Sequence, residues 1–293
     1  MAIALALGAA LAFAVASVSQ QHAAARVPAT AETAGSMARR LVSDRTWWAG
    51  TGADVTAVGL QAAALRAGPM VLVQPVLAMG LIAALGLNAH LHRRRYGARV
   101  WIPALALIVA MPVFIVVAAP HGGLPSPTGA SWMWSALACL GLAAVVIAAS
   151  TVVSSQRLRA GLLALATGLT YALAAALTKF VVDHLDGHVF STWQPYALAA
   201  VAGLGLWTGQ RAFQVAPLAA SLPTLTATEP LVGAALGIWL FHEHLSTAGM
   251  RLGILAAAAI TMVVSVVLVA QRSGGVTPPP TSPRNLESLA VGD

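Results

Sequence analysis

Nine long runs of apolar residues, parted by short polar breaks, set the pattern of this chain. They fall near residues 2–19, 47–66, 69–90, 100–119, 131–150, 159–182, 194–214, 217–241 and 250–271. A helix of about 20 apolar residues crosses a bilayer core. In lipid the backbone must satisfy its own hydrogen bonds, so runs this long and continuous predict helices rather than barrel strands. Hydrophobic residues make up 58% of the 293 residues and charged residues 9%. That leaves too little polar surface for a soluble domain of this size. The pattern predicts an all-α polytopic membrane protein with about nine transmembrane helices.

The first run has the position of a secretory signal peptide. It lacks a basic n-region, and at about 18 residues it exceeds the usual apolar segment of such peptides. Ala23-Ala24-Ala25 has the form of a cleavage site, but in so Ala-rich a chain the match says little. The run is read as a retained helix. The single cysteine, Cys139, lies inside the fifth run and excludes an internal disulfide framework.

Charge sets the expected orientation. Of the 16 Lys and Arg residues, Arg26, Arg39, Arg40, Arg45, Arg93, Arg94, Arg95, Arg99, Arg157, Arg159, Arg211, Arg272 and Arg284 fall on one side of a nine-span arrangement. Only Arg66, Lys179 and Arg251 fall on the other. The positive side faces the cytoplasm, which predicts N-out and C-in. The sequence pI of about 11.0 has the same origin, so no nucleic-acid partner is implied; the expected partner is the lipid bilayer. Trp47, Trp48, Trp101, Trp132, Trp134, Trp193 and Trp239 lie near span ends, where indoles favour the membrane interface, and only Trp207 lies well inside a span.

The breaks divide the chain. Residues 1–120 form a first membrane unit of four spans, including a polar cytoplasmic loop at 20–46. Residues 121–158 hold an outer loop, a spacer span and a cytoplasmic loop. Residues 159–271 form a second four-span unit, and 272–293 are a Gly-, Pro- and Ser-rich cytoplasmic tail with too little apolar content to order. The segment 120–130 is turn-rich, lacks Lys and Arg, and is expected outside.

The two units resemble each other at an offset of 148 residues. Ala64-Leu65-Arg66-Ala67-Gly68-Pro69 followed by Pro75 matches Ala212-Phe213-Gln214-Val215-Ala216-Pro217 followed by Pro223. Arg93-Arg94-Arg95 and His242-Glu243-His244 then open matching polar breaks, each followed by an apolar run. Five helices separate equivalent positions, so the two copies are expected to be inverted in the membrane. Inverted repeats are a construction principle of secondary transporters, with the substrate near the midplane between the halves.

The same residues carry a family resemblance. His242-Glu243-His244-Leu245-Ser246, then Gly253 and an apolar run, resembles the signature that closes an EamA-type repeat of the drug/metabolite transporter superfamily. Trp47-Trp48-Ala49-Gly50 through Ala64, Pro69 and Pro75 resembles the NIPA-like magnesium-transporter branch, as do Ala119-Pro120 and Arg211-Ala212-Phe213 with Pro223. The likeness covers most of 47–120 and 160–271. It departs from the branch at Val58, where an acidic residue is expected, and at Arg95, where the first copy lacks the repeat-closing Glu. The resemblance implies a secondary transporter with a small-molecule or ion substrate.

Polar groups inside the spans are the candidate pathway residues. Glu229 is the deepest, twelve residues into its run. A lone buried carboxylate costs several kcal/mol, so it must pair, face water or take up a proton. Proton coupling suits such a group; a bond to a neighbouring helix before Pro230 is the plainer alternative. Asp54 lies about two turns into its span and either faces the same cavity or reaches the inner headgroups. Arg211 and Lys179 lie near span ends, where snorkelling to water is the plainer reading. Gln61, Gln74, Gln210 and Gln214 offer neutral hydrogen bonds to a solute or between helices. Gly205 with Gly209, and Gly233 with Gly237, form GxxxG pairs that permit close helix approach. A homodimer is left open.

Asp183, His184, Asp186 and His188, together with His242, Glu243 and His244, have metal-compatible side chains. Neither group has a strict ligand spacing, and both are read as solvated outer loops, with no metal and no cofactor. No P-loop, GxSxG, HExxH or CxxC occurs, so no enzyme is expected. The leading expectation is a transporter of a small organic solute in a bacterial cytoplasmic membrane, the placement following from the Ala-rich composition. A NIPA-like transporter of Mg²⁺ or another divalent cation and a non-transporting membrane scaffold are the alternatives.

Overall fold

The computed structural model describes residues 1–25, 39, 42–91, 97–118, 123, 127–185, 188–215, 218–244 and 250–273. Among them every long element is an α-helix: α1 (Ala2–Ala25), α2 (Arg45–Ala67), α3 (Met70–Leu77), α4 (Gly80–Leu91), α5 (Ala98–Ala118), α6 (Gly129–Val152), α7 (Gln156–Asp183), α8 (Gln194–Val215), α9 (Leu218–Leu240) and α10 (Met250–Ser273). Each apolar run of the sequence is helical. Among the described residues, six stretches are long and apolar enough to cross a membrane: Ala2–Gln20, Met70–Leu87, Ala98–Val117, Gly129–Val152, Leu158–Asp183 and Met250–Val269. The chain is a multi-pass membrane protein. Arg93–Arg95, most of the 120–130 segment and the tail after Ser273 lie outside the described residues.

The helix starts are chemically marked. Asp44 caps α2 by accepting from the Thr46 N–H at 2.6 Å. Thr128 and Ser155 cap α6 and α7 through the N–H groups of Ser131 and Leu158. Each hydroxyl or carboxylate satisfies an N–H that has no partner within its own helix. Two boundaries differ from the sequence expectation. The first helix continues to Ala25, into the loop expected from residue 20, and most of the rest of that expected loop lies outside the described residues. The run 69–90 is two helices, because Pro75 has no N–H to give and α3 stops at Leu77. Tight turns, Ala78 N–H to Pro75 O and Met79 N–H to Val76 O, then lead into α4.

Helix faces sort by size rather than by polarity. Ala6, Ala9, Ala10, Ala14 and Ala16 of α1 are buried, whereas Ile3, Leu7, Leu11 and Val15 are exposed. Lipid tails are as apolar as a protein interior, so small residues at the interface gain by close packing while large ones meet lipid at no cost. Helix α1 packs along α2 and against α3 and α4. Helix α7 packs along α8 and α9 and also meets α6 and α2. Helices α5 and α10 pair, as do α3 and α9. Within an apolar 18-residue window of Leu158–Asp183, 78% of residues are buried, against 28% in the matching window of Gly129–Val152, so α7 is the central post and α6 a more exposed one.

Both GxxxG pairs lie at crossings. A Cβ on Gly205 would sit 2.5 Å from the Tyr171 ring, and one on Gly209 3.3 Å from Thr167. A 2.9 Å hydroxyl bond from Thr167 to Thr208 fastens the same α7–α8 contact. Gly233 and Gly237 admit α3, through Gln74 and the Val71 backbone. Trp132 departs from the interfacial expectation. It is 3% exposed and meets Phe180, Trp193 and Phe241 edge-on at 5.6–6.3 Å.

Candidate functional site

Three helices bring ionisable groups into one interior neighbourhood, and a fourth adds a neutral amide. Asp54 of α2 is hydrogen-bonded to Gln20 of α1. Tyr171 of α7 lies within the electrostatic reach of both Asp54 and Glu229, and the two carboxylates act on each other. Helix α9 is held against α7 here, since a Cβ on Gly168 would lie 2.6 Å from Thr228 and 3.2 Å from the Glu229 N. Glu229 and Asp54 are both partly buried. Two carboxylates and a phenol can exchange protons and attract a cation or an ammonium group. Asp54 and Glu229 thus influence each other electrostatically, and Tyr171, whose ring lies against Gly205 of α8, feels both.

A second polar centre closes the break between α2 and α3. Ending one helix at Ala67 and starting another at Met70 leaves unpaired carbonyls and N–H groups. Glu243 accepts from the Met70 N–H at 2.7 Å through Oε1 and from the Val71 N–H at 2.8 Å through Oε2. Lys179 Nζ donates to the carbonyls of Leu65 at 3.2 Å and Gly68 at 3.4 Å. It also lies 3.5 Å from Asp183 Oδ2, 3.9 Å from Glu243 Oε1 and 5.5 Å from the Phe241 ring centre. An anion at a helix N-terminus and a cation at a C-terminus are each favoured by the helix dipole.

This centre corrects two sequence readings. Lys179 does not snorkel to water; its side chain is 12% exposed and fully engaged. Glu243 is not solvated; it is 2% exposed. Burial pushes its carboxyl above the usual carboxylate range, opposed by the Val71 and Met70 N–H groups and by Lys179. The sequence signal for Glu243 was its place in the repeat-closing signature. What spacing did not reveal is that Gly237, where a Cβ would lie 2.6 Å from Glu243 Oε2, makes room for it.

The other candidates are dispersed. Gln61 is buried on α2. Gln74 is fully buried, packed on Gly233, and neither amide atom has a hydrogen-bond partner among the described residues. Gln210 is partly buried. Arg211 is exposed, with its guanidinium 5.6 Å from the Trp207 ring centre. The side chain of Gln214 and all of Asp186 lie outside the described residues. Asp183 is held by Lys179, and His184 stacks on Phe180 at 4.2 Å while its Nδ1 lies 2.9 Å from the Phe180 carbonyl. No three His, Cys, Asp or Glu side chains among the described residues are grouped to hold a metal ion. Tyr171 and Gln20 joined the site unannounced, since neither a lone Tyr nor a Gln at a helix end stands out in the sequence.

No family model matches the chain, and no solved structure matches it. The chain is similar to an uncharacterized protein of Corynebacterium glutamicum, 29% identical over 279 residues, covering 93% of this chain and 96% of that protein. The likeness thus runs through nearly the whole chain rather than along one apolar segment.

Proposed function

We propose that the chain is a secondary transporter of the drug/metabolite superfamily that moves a small organic solute by alternating access of two inverted four-helix halves. It has nine crossings, α3 and α4 together forming the third, and α6 is the spacer. The observation that carries this reading is the pairing scheme. Exchanging the first four crossings with the last four maps the α1–α2 pair onto α7–α8, and the contacts of α1 with α3 and α4 onto α7–α9. The α3–α9 and α5–α10 pairs each map onto themselves. Such a scheme suits two halves that rock about a shared axis, with the Asp54, Tyr171 and Glu229 neighbourhood near its centre.

The test is uptake into vesicles holding the purified protein, across a panel of metabolites and divalent cations. Solute accumulation dependent on the protein supports the reading, and inertness toward the whole panel in a folded preparation removes it in favour of a scaffold. A divalent-cation substrate is the second reading, favoured by two mutually acting carboxylates. Replacing Asp183, His184, Asp186 and His188 together by Ala is expected to change Mg²⁺ uptake by less than about twofold, because Asp183 and His184 are engaged in local contacts of small energetic weight. A large loss would make the outer loop part of a cation pathway.

The proposed orientation is N-out and C-in, in a bacterial cytoplasmic membrane. Cysteines placed in loop 20–46 or the tail are expected to label only from the cytoplasm, and those in 120–130 only from outside. Labelling of the 20–46 loop from outside would reverse the topology.

A further inference from the structure

We infer that Glu243 and Lys179 form a latch that fastens the two halves together at one face of the membrane, and that this latch must release for that face to open. Its purpose rests on the transport reading; its existence rests on contacts alone. The α2–α3 break belongs to the first half, and both side chains that complete it come from the second. Glu243 takes the two leading N–H groups of α3, and Lys179 takes two carbonyls at the end of α2. Neither end of the break is completed from within its own half by these groups. Parting the halves at this face therefore strips four backbone groups of their partners in a single step.

Local construction points to a seated rather than incidental contact. His242 adopts φ 51°, a left-handed conformation uncommon for a residue with a side chain. The chain turns back there, and the Glu243 N–H reaches the Gly237 carbonyl at 3.1 Å. Gly237 leaves the space that the carboxylate fills. Phe241 lies over Lys179, and Trp132, itself in contact with Phe180 and Trp193, backs Phe241. The first copy has Arg95 where the second has Glu243, so a carboxylate cap of this kind belongs to one face only. Burial is the largest influence on the Glu243 carboxyl and works against its charge.

The test uses the full chain in lipid nanodiscs, with both faces open to a membrane-impermeant maleimide and Cys139→Ala as background. A reporter cysteine, Val73→Cys, is placed one turn behind the latch on α3, at a fully buried position. A control, Ser150→Cys, lies at a buried position near the far end of α6. Glu243→Gln keeps the size but offers one acceptor where two N–H groups need one each. It is expected to speed labelling at position 73 by at least about tenfold, a shift of closed toward open population, and to leave position 150 unchanged. Lys179→Met should raise labelling at 73 in the same direction. Unchanged labelling at 73 in Glu243→Gln overturns the latch. Equal rises at both positions also overturn it, since they make Glu243 a general support of the fold. Expected labelling with no solute carried by the parent protein leaves the latch standing and defeats the transport reading.

Discussion

Glu229→Gln is expected to leave the protein inserted and folded while removing the pH dependence of solute flux. The amide keeps the size of the carboxylate and its capacity to bond, and it is cheaper to bury than a charge. What it loses is the proton. Asp54 and Tyr171 share the neighbourhood, so the variant also removes one of two mutually acting carboxylates. The measurement is proton movement, read by pyranine trapped in vesicles, as each member of a panel of amines, amino acids, nucleosides, sugars and Mg²⁺ is added. A solute that moves protons in the parent protein should do so at least about tenfold more slowly in the variant, the loss expected of a group essential to one step of the cycle. Asp54→Asn should weaken proton movement less, because Gln20 already binds that side chain. Unaltered pH-dependent flux in well-expressed Glu229→Gln takes Glu229 out of the mechanism.

Gly205→Leu is expected to prevent recovery of a monodisperse protein, whereas Gly203→Ala should be neutral or slightly stabilising. The two glycines lie two residues apart on α8. A Cβ at 205 meets the Tyr171 ring at 2.5–2.6 Å and the Thr170 hydroxyl at 2.9 Å, while at 203 nothing lies within 4 Å. Overpacking by even a few methylenes costs roughly 1–3 kcal/mol, and a leucine exceeds what α7 and α8 can absorb without parting. At 203 the substitution gains helix propensity of roughly 0.5–1 kcal/mol. Size-exclusion profiles of the two variants extracted in detergent discriminate them. Equal monodisperse recovery would deny that α7 and α8 touch at Gly205.

Helices were legible in the sequence because their length and continuity have no other solution in lipid. Which face of each turns inward was not, because hydropathy does not distinguish a lipid-facing Leu7 from a buried Ala6; only side-chain size carries that information. The less apolar helices α2, α8 and α9 were also read as spans from their own apolar runs, and they carry Asp54, Gln61, Gln210 and Glu229. Polarity that weakens a membrane signal is what supplies an interior site. Lys179 and Glu243 were misjudged for a different reason. A charge at a span end is read against water, and here it is answered by backbone atoms of a helix break more than a hundred residues away.

The turn at Ala78 and Met79 gives α3 and α4 a mechanical property that an unbroken helix lacks. The eight residues of α3 make a rod of about 12 Å. One end is anchored at Met70 and Val71, and the other runs into the turn at Ala78 and Met79. Just beyond, Gly80 lies against the Ala10 backbone of α1, with 2.9 Å between its would-be Cβ and the Ala10 carbonyl oxygen. The short rod is thus held at its start by Glu243 and at its finish by the seat of Gly80 on α1. Because α3 also packs on α1 and α9 along its length, release of Met70 and Val71 frees its first turn, while α4 stays seated on α1.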